Sequence, residues 1–179
     1  MRNFRLLAWL ALFWAGTLMA QSYPSKPVRV IVPWPPGQAT DLAARLVAMK
    51  LADSLGQPFV IDNRPGAGGT IGSDVAAKSP GDGYTLLAGS SGPISIYPHL
   101  QGKLPFDWRR DLVPVSLVCT VPYLLTVGPS FPANNAAELI ALVRSQPGKY
   151  NFAASGAGAT GHLAMELFNS MAQLNAVHV

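Results

Sequence analysis

Val28-Arg29-Val30-Ile31-Val32-Pro33-Trp34-Pro35-Pro36-Gly37-Gln38-Ala39-Thr40-Asp41 sets a short β-branched run against a proline-rich turn and the start of an amphipathic stretch. Five residues rich in Val and Ile, bounded by Pro, have the signature of a buried strand. Three prolines fix φ and remove backbone donors, so 33–37 forms a stiff loop and not regular structure. Thr40 offers a hydroxyl N-cap, and Asp41 lies in the first turn, where a negative charge suits the helix dipole. Leu42, Leu46 and Met49, with Ala43 and Val47 beside them, share one helical face, which is expected to meet the core. Gly56 and Pro58 end that helix.

The same alternation continues outward. Phe59-Val60-Ile61 predicts a second strand, followed by the loop Asn63-Arg64-Pro65-Gly66-Ala67-Gly68-Gly69 and a short helix from Thr70 to about Lys78. Gly81-Asp82-Gly83 predicts a turn, Tyr84 to Ala88 a third strand, and Gly89 to Pro93 a loop containing Ser90. The stretch 100–111 reads as irregular, and Val113–Val127 as two strands broken near Pro122. Asn135 and Glu138, three apart before Leu139-Ile140, predict a capping-box helix that Pro147-Gly148 stops. A strand over Tyr150–Ala154, a loop over Ser155–Ala159, a helix over Thr160–Ala172 and a final strand at Ala176–Val179 complete the pattern. Strands alternating with helices at this spacing predict an α/β fold with a mainly parallel sheet. Such sheets bind ligands at the carboxyl ends of their strands.

Composition narrows the function. Met1–Arg5 carries two positive charges, an uncharged run of about 14 residues follows to Met19, and Ala20 precedes Gln21, the order of a secretory signal peptide over 1–20. The run is short of the roughly 20 residues a membrane-spanning helix needs. Without Arg2 and Arg5 the charge balance falls from 13 basic against 9 acidic residues to 11 against 9. Basic clusters with interleaved aromatics are absent, so nucleic acid is not an expected partner. The single Cys119, inside an apolar run, is expected to be a small buried hydrophobe. His99, His162 and His178 are widely separated, and no H-E-x-x-H, G-x-S-x-G or G-x-x-x-x-G-K-[ST] pattern occurs. No catalytic residue, metal site or cofactor is therefore expected.

Three strand-to-helix loops remain as candidate sites. In 33–41, Gly37 permits close approach of a ligand to the main chain, free N–H groups at the helix start suit an anion, and Trp34 offers an apolar wall. The loop 63–70 reads equally as a ligand loop or a plain tight turn. In 155–162, Gly156, Gly158 and Gly161 spell G-x-G-x-x-G after a strand, the local context of a dinucleotide site. The acidic residue such a site needs about 20 positions on is missing, and the same geometry serves a carboxylate through Ser155, Thr160 and the adjacent N–H groups. His162 is either a ligand contact or a satisfied surface residue, and His178 in its apolar strand is structural.

The motifs together resemble a family. Tyr23-Pro24-Ser25-Lys26-Pro27, the loops 33–41 and 63–69, Asp82-Gly83-Tyr84-Thr85-Leu86-Leu87, Leu104-Pro105-Phe106-Asp107 and Asn151–Gly156 with His162-Leu163-Ala164 are similar to the Bug family, periplasmic receptors of tripartite tricarboxylate transporters. The resemblance implies a two-domain, periplasmic-binding-protein-like (type II, Venus flytrap) fold, with lobes at 21–120 and 121–179, the second truncated. It implies capture of a small carboxylate (a di- or tricarboxylate, an amino acid or an aromatic acid) by a monomer in the periplasm. It also implies delivery to membrane permease subunits, without catalysis. The contacts it implies are Trp34, Pro36, Gly37, Gln38, Thr40 and Asp41 in the first loop. Ala67, Gly68 and Ser90 come from the next two loops. Ser155, Gly158, Ala159, Thr160 and His162 come from the second lobe. Gln38 stands where the family has a second glycine, which either puts a polar side chain beside the ligand or obstructs a backbone approach. Two alternatives stay open: a dinucleotide-binding oxidoreductase fragment resting on 156–161, and a truncated, nonbinding remnant.

Overall fold

The computed structural model describes residues 22–100, 102–154 and 156–179. The expected signal peptide over 1–20, and Ser155 among the candidate contacts, lie outside the described residues.

The opening run forms the central strand β1 (Val28–Val32), with β2 (Phe59–Asn63) on one side and β3 (Thr85–Leu87) on the other. All pairing is parallel, with Val30 opposite Ile61 and Leu86. Between them run α1 (Ala39–Leu55), a 3₁₀ turn at Ala67–Gly69 and α2 (Thr70–Ala77). The chain steps from β1 to β2 and then back across β1 to β3. Right-handed crossovers therefore place α1 and α2 on opposite faces of the sheet. Strand β1 is covered from both sides, and Val28, Ile31 and Val32 are fully buried, as a central parallel strand requires.

Helix α1 differs from the expectation in two respects. It starts at Ala39, with Gln38 in the N-cap position and no side-chain cap, so Thr40 is already helical. The buried residues are Asp41, Ala44 and Ala48, whereas Leu42, Leu46 and Met49 are 54%, 63% and 52% exposed. Periodicity identifies residues that share a face, not which face meets the sheet. The small stripe lets the helix axis approach Val30 and Val32, with which Ala44 forms the core. Gly56 closes the helix in the left-handed conformation, its N–H donating to the Ala52 carbonyl.

Beyond β3, a π-helical turn at Gly92–Ile96 continues as α-helix over Tyr97–Leu100; together they are α3. A short α4 (Trp108–Asp111) lies inside the stretch read as irregular. The strands expected over 113–127 are absent: residues 112–127 form no regular element and are exposed from Val113 on. A strand needs at least one paired edge, and no described residue pairs with this run. Cys119, inside it, is exposed and not buried.

The last part holds α5 (Ala136–Ser145), β4 (Asn151–Phe152), α6 (Thr160–Ala172) and β5 (Val177–His178). The two short strands form a separate parallel pair. The capping box is present: the Asn135 side chain accepts from Glu138 N–H at 2.9 Å, and the Glu138 carboxylate accepts from Asn134 N–H at 2.8 Å. Leu139, Val143 and Ala176 form the core here, with Phe131, Tyr150, Phe152 and Phe168 against them.

Candidate functional site

In a sheet ordered β2-β1-β3 the winding reverses at β1, and an open parallel sheet places its ligand crevice at such a reversal, here at the carboxyl ends of β1 and β3. Trp34 follows β1, and its indole N–H donates to Ser90 Oγ, which follows β3, at 3.0 Å. That bond joins the loop after β1 to the loop after β3.

The β1 loop is held in shape by Asp41, which is 1% exposed. Its Oδ2 accepts from Gly37 N–H and Arg45 Nε, both at 2.9 Å, and its Oδ1 accepts from Asn63 Nδ2 at 2.8 Å. Asn63 Nδ2 also donates to the Trp34 carbonyl at 3.0 Å, and Arg45 reaches Asn63 Oδ1 at 3.1 Å. One carboxylate thus fastens the loop to α1 and to the end of β2. Gly37 takes φ +87°, which a residue with a Cβ resists. Pro36 and Gln38 are exposed at the rim, and Thr40 is half-buried behind them.

The Arg45 guanidinium, then the Gly37 N–H, then the Asn63 amide hold the Asp41 carboxyl well below the usual carboxylate range. A depressed folded value adds stability that is present above the unfolded carboxylate value, near about 3.9, and is lost as pH falls through the folded value. Asp41→Asn is therefore expected to lower the thermal midpoint most at neutral pH. The gap from the unsubstituted chain should begin to narrow as pH falls below the unfolded carboxylate value, about 3.9, and go on narrowing toward strong acid. Melting curves across that range check it.

The glycine-rich loop packs against the loops after β1 and β3. Ala67, Gly68 and Gly69 have φ of +46°, +62° and +93°. A Cβ on Gly69 would lie 3.3–3.5 Å from Pro93, Trp34 and Pro33, so three loops meet there. Thr70, which opens α2, is buried, and its Oγ1 has no hydrogen-bond partner.

The loop before α6 meets this assembly through α3. Ser91 Oγ and Thr160 Oγ1 are 2.9 Å apart. Gly158 packs against Tyr97, and a Cβ there would lie 3.4 Å from the ring and 3.5 Å from Leu100. Tyr97 is 2% exposed, and burial pushes its phenol above the ordinary value. Gly158 N–H donates to His162 Nδ1 at 3.1 Å, which assigns the imidazole proton to Nε2. Behind the loop, His162 stacks on Phe152 with centroids 6.0 Å apart and meets His178 edge-on at 4.4 Å. Ala159 is buried in the N-cap position of α6.

Trp34, Gly37 and Asp41 of the first loop are thus brought together with Gly68, close to Ser90. Gly158, Ala159, Thr160 and His162 form a second group that reaches the first through Ser91 and Tyr97. The sequence reading missed four residues. Ser91 was present in the quoted 89–93 loop. Arg45 had a detectable signal, because it stands four residues after Asp41, the spacing of a helical ion pair. Asn63 ends a strand at the ligand end of the sheet. Tyr97 had no signal, since its role depends on contact with glycines far away in sequence. Among the described residues no cluster of three or more His, Cys, Asp or Glu is placed to hold a metal, and no helix is long and apolar enough to cross a membrane.

The family described as "Tripartite tricarboxylate transporter family receptor" matches residues 43–179. The chain is 45% identical over 170 residues to Protein BugT of Bordetella pertussis, covering 92% of this chain and 52% of that protein. It is 41% identical over 184 residues to a UPF0065 protein of the same organism, covering 100% of this chain and 56% of that one. Among solved structures, R. palustris Rpa4515 with adipate superposes with a TM-score of 0.83 at 38% identity, covering 88% of this chain and 52% of that one. MatC from Rhodopseudomonas palustris with bound malate gives 0.76 at 33% identity, with 88% and 53% covered. The chain spans about half the length of the curated relatives it matches.

Proposed function

The chain belongs to the family of tripartite tricarboxylate transporter receptors, and from that premise we propose that it captures a small carboxylate in the crevice between β1 and β3 for delivery to a membrane permease. One observation carries this reading. The loops after β1 and β3, the glycine-rich loop and the start of α6 converge through Trp34–Ser90, Gly69–Pro93 and Ser91–Thr160. The result is a set of neutral donors with an aromatic wall. Hydroxyls and helix-start N–H groups hold a carboxylate without a buried countercharge. The superposed adipate- and malate-bound proteins are consistent with that chemistry.

In this reading the lobes 21–120 and 121–179 close on the ligand by a hinge motion, and the protein works as an exported, periplasmic monomer. Trp34, Ser90, Gly68, Thr160 and the rim residue Gln38 face the ligand. Asp41 acts through the loop it fastens, because its oxygens are committed to protein donors. The role is binding, with no chemical conversion of the ligand. The dinucleotide alternative is not carried forward. A pyrophosphate needs the free amides of its glycine loop, and Gly158 N–H is already engaged by His162.

Thr160→Ala removes one hydroxyl from the ligand side of α6 and leaves its backbone unchanged. Affinity for carboxylates is expected to fall about tenfold, the equivalent of one charge-assisted hydrogen bond, with the unliganded melting temperature unchanged. Calorimetric titration with succinate and adipate tests this. Equal affinity in the variant removes Thr160 from the site. A 179-residue chain that melts cooperatively and shifts its midpoint with either acid also excludes the nonbinding alternative.

A further inference from the structure

Resting on the carboxylate-capture reading, we propose that His162 is a positioning residue that latches the α6 loop only while its imidazole is neutral, so that acid loosens the loop and weakens carboxylate binding.

Helix α6 begins without the usual fastening. Ala159 occupies its N-cap position and makes no side-chain bond to the first turn. His162, three residues on, takes that role from inside the helix, much as a glutamate does in a capping box. Its Nδ1 accepts from Gly158 N–H at 3.1 Å. Gly158 is held at φ +77°, and from there it packs on Tyr97 and Leu100. Two residues further, Thr160 Oγ1 lies 2.9 Å from Ser91 Oγ. One imidazole nitrogen therefore helps set where the α6 loop meets the other crevice loops.

Such an acceptor exists in one protonation state. Neutral imidazole has a bare nitrogen, whereas imidazolium carries N–H at both positions, and histidine is the side chain that ordinarily changes charge between about pH 5 and 8. With Nδ1 protonated, two N–H groups would face each other across 3.1 Å, so the ring or the loop must move. The charged form has its own partner, because Glu166 Oε1 lies 3.7 Å from Nε2. On its other sides the His162 ring meets Phe152 and, edge-on at 4.4 Å, His178; Tyr123 lies against Gly161. Two imidazolium rings this close repel, so a proton on His178 competes with one on His162. Glu166 balances the charge that His162 gains, which leaves the displaced loop as the larger effect on an anionic ligand.

The test is calorimetric titration of the full chain and of His162→Phe with succinate and adipate, near about pH 8 and near about pH 5. Phenylalanine keeps a ring against Phe152 and His178 but offers no acceptor. Protonation of the acids themselves affects both proteins alike and cancels in the ratio of their affinities. The unsubstituted chain is expected to bind about fivefold more tightly than His162→Phe at the higher pH, the equivalent of one hydrogen bond, and no more tightly at the lower. A ratio of one at the higher pH, or a ratio that acid leaves unchanged or raises, overturns the latch and leaves carboxylate capture standing. Long-range proton–nitrogen NMR spectra of the unliganded chain at the higher pH give a second reading, expected to show His162 with Nε2 protonated and Nδ1 bare. A proton on Nδ1 overturns the latch without reference to any ligand. Silence of the unsubstituted chain with both acids at the higher pH overturns carboxylate capture itself, and the weakening in acid with it.

Discussion

Gly72→Ala is expected to lower the thermal midpoint of the chain by about 5–10 °C, corresponding to ~2–3 kcal/mol. Gly72 sits in α2 where the helix crosses the loop after β1. A Cβ at this position would lie 2.7 Å from the Arg64 carbonyl oxygen, 2.8 Å from Pro33 Cα and 2.9 Å from Pro33 Cβ. Two of the three are backbone atoms in stiff segments, so no side-chain rotation relieves the overlap. Either α2 moves off the sheet or the Pro33 turn is displaced, and both disturb the crevice. Carboxylate affinity should therefore fall together with stability. Differential scanning calorimetry reads the first effect and titration the second. A variant with the midpoint of the unsubstituted chain would show that α2 is not seated on Pro33.

Gly68→Ala should damage binding more selectively. Gly68 takes φ +62°, where an added Cβ costs about 1–2 kcal/mol. That Cβ would also lie 2.1 Å from the Tyr97 hydroxyl oxygen and 2.6 Å from two ring carbons. Tyr97 is buried and in contact with Gly158 on its other side, so the ring cannot swing into solvent without releasing the α6 loop. Affinity for succinate or adipate is expected to fall by more than about tenfold. In a Tyr97→Phe background the hydroxyl overlap disappears but the two ring contacts remain, so the penalty should shrink without vanishing. An undiminished penalty there would place the damage in the backbone of residue 68 alone.

The parts of the fold legible from sequence are those set by local chemistry. The β-branched run 28–32 could only be a covered strand. Thr160–Ala172 was bounded correctly, and Asn135 with Glu138 announced the start of α5. Reasoning from local pattern failed where a partner across space decides the outcome. Leu42, Leu46 and Met49 have helical spacing, but Ala44 and Ala48 permit closer approach to β1, and the larger stripe is left outside. Val113–Val127 has strand composition, but β structure needs a paired edge, and Val113 is 86% exposed. Cys119 follows that run into solvent.

The candidate site divides in the same way. Its loops were identifiable from Pro and Gly placement, and Trp34, Gly68 and Thr160 are among the residues that come together. Their organisation was not. Asp41 looks like a ligand group in sequence because acids at helix starts are usually exposed. Here it is drawn inward by Arg45 and Asn63, and it shapes the loop from behind. Ser91 and Tyr97 join two loops more than sixty residues apart, a relation no local window contains.

The most direct measurement is hydrogen–deuterium exchange of the chain with and without succinate, adipate or benzoate in the millimolar range. Carboxylate capture at this crevice predicts slowed exchange in residues 33–41, 67–72, 88–97 and 156–163 with at least one of the three acids. The shallow hollow lined by Lys103, Phe106 and Trp108 should be unaffected. Protection confined to that hollow, or no protection with any of the three, would contradict it.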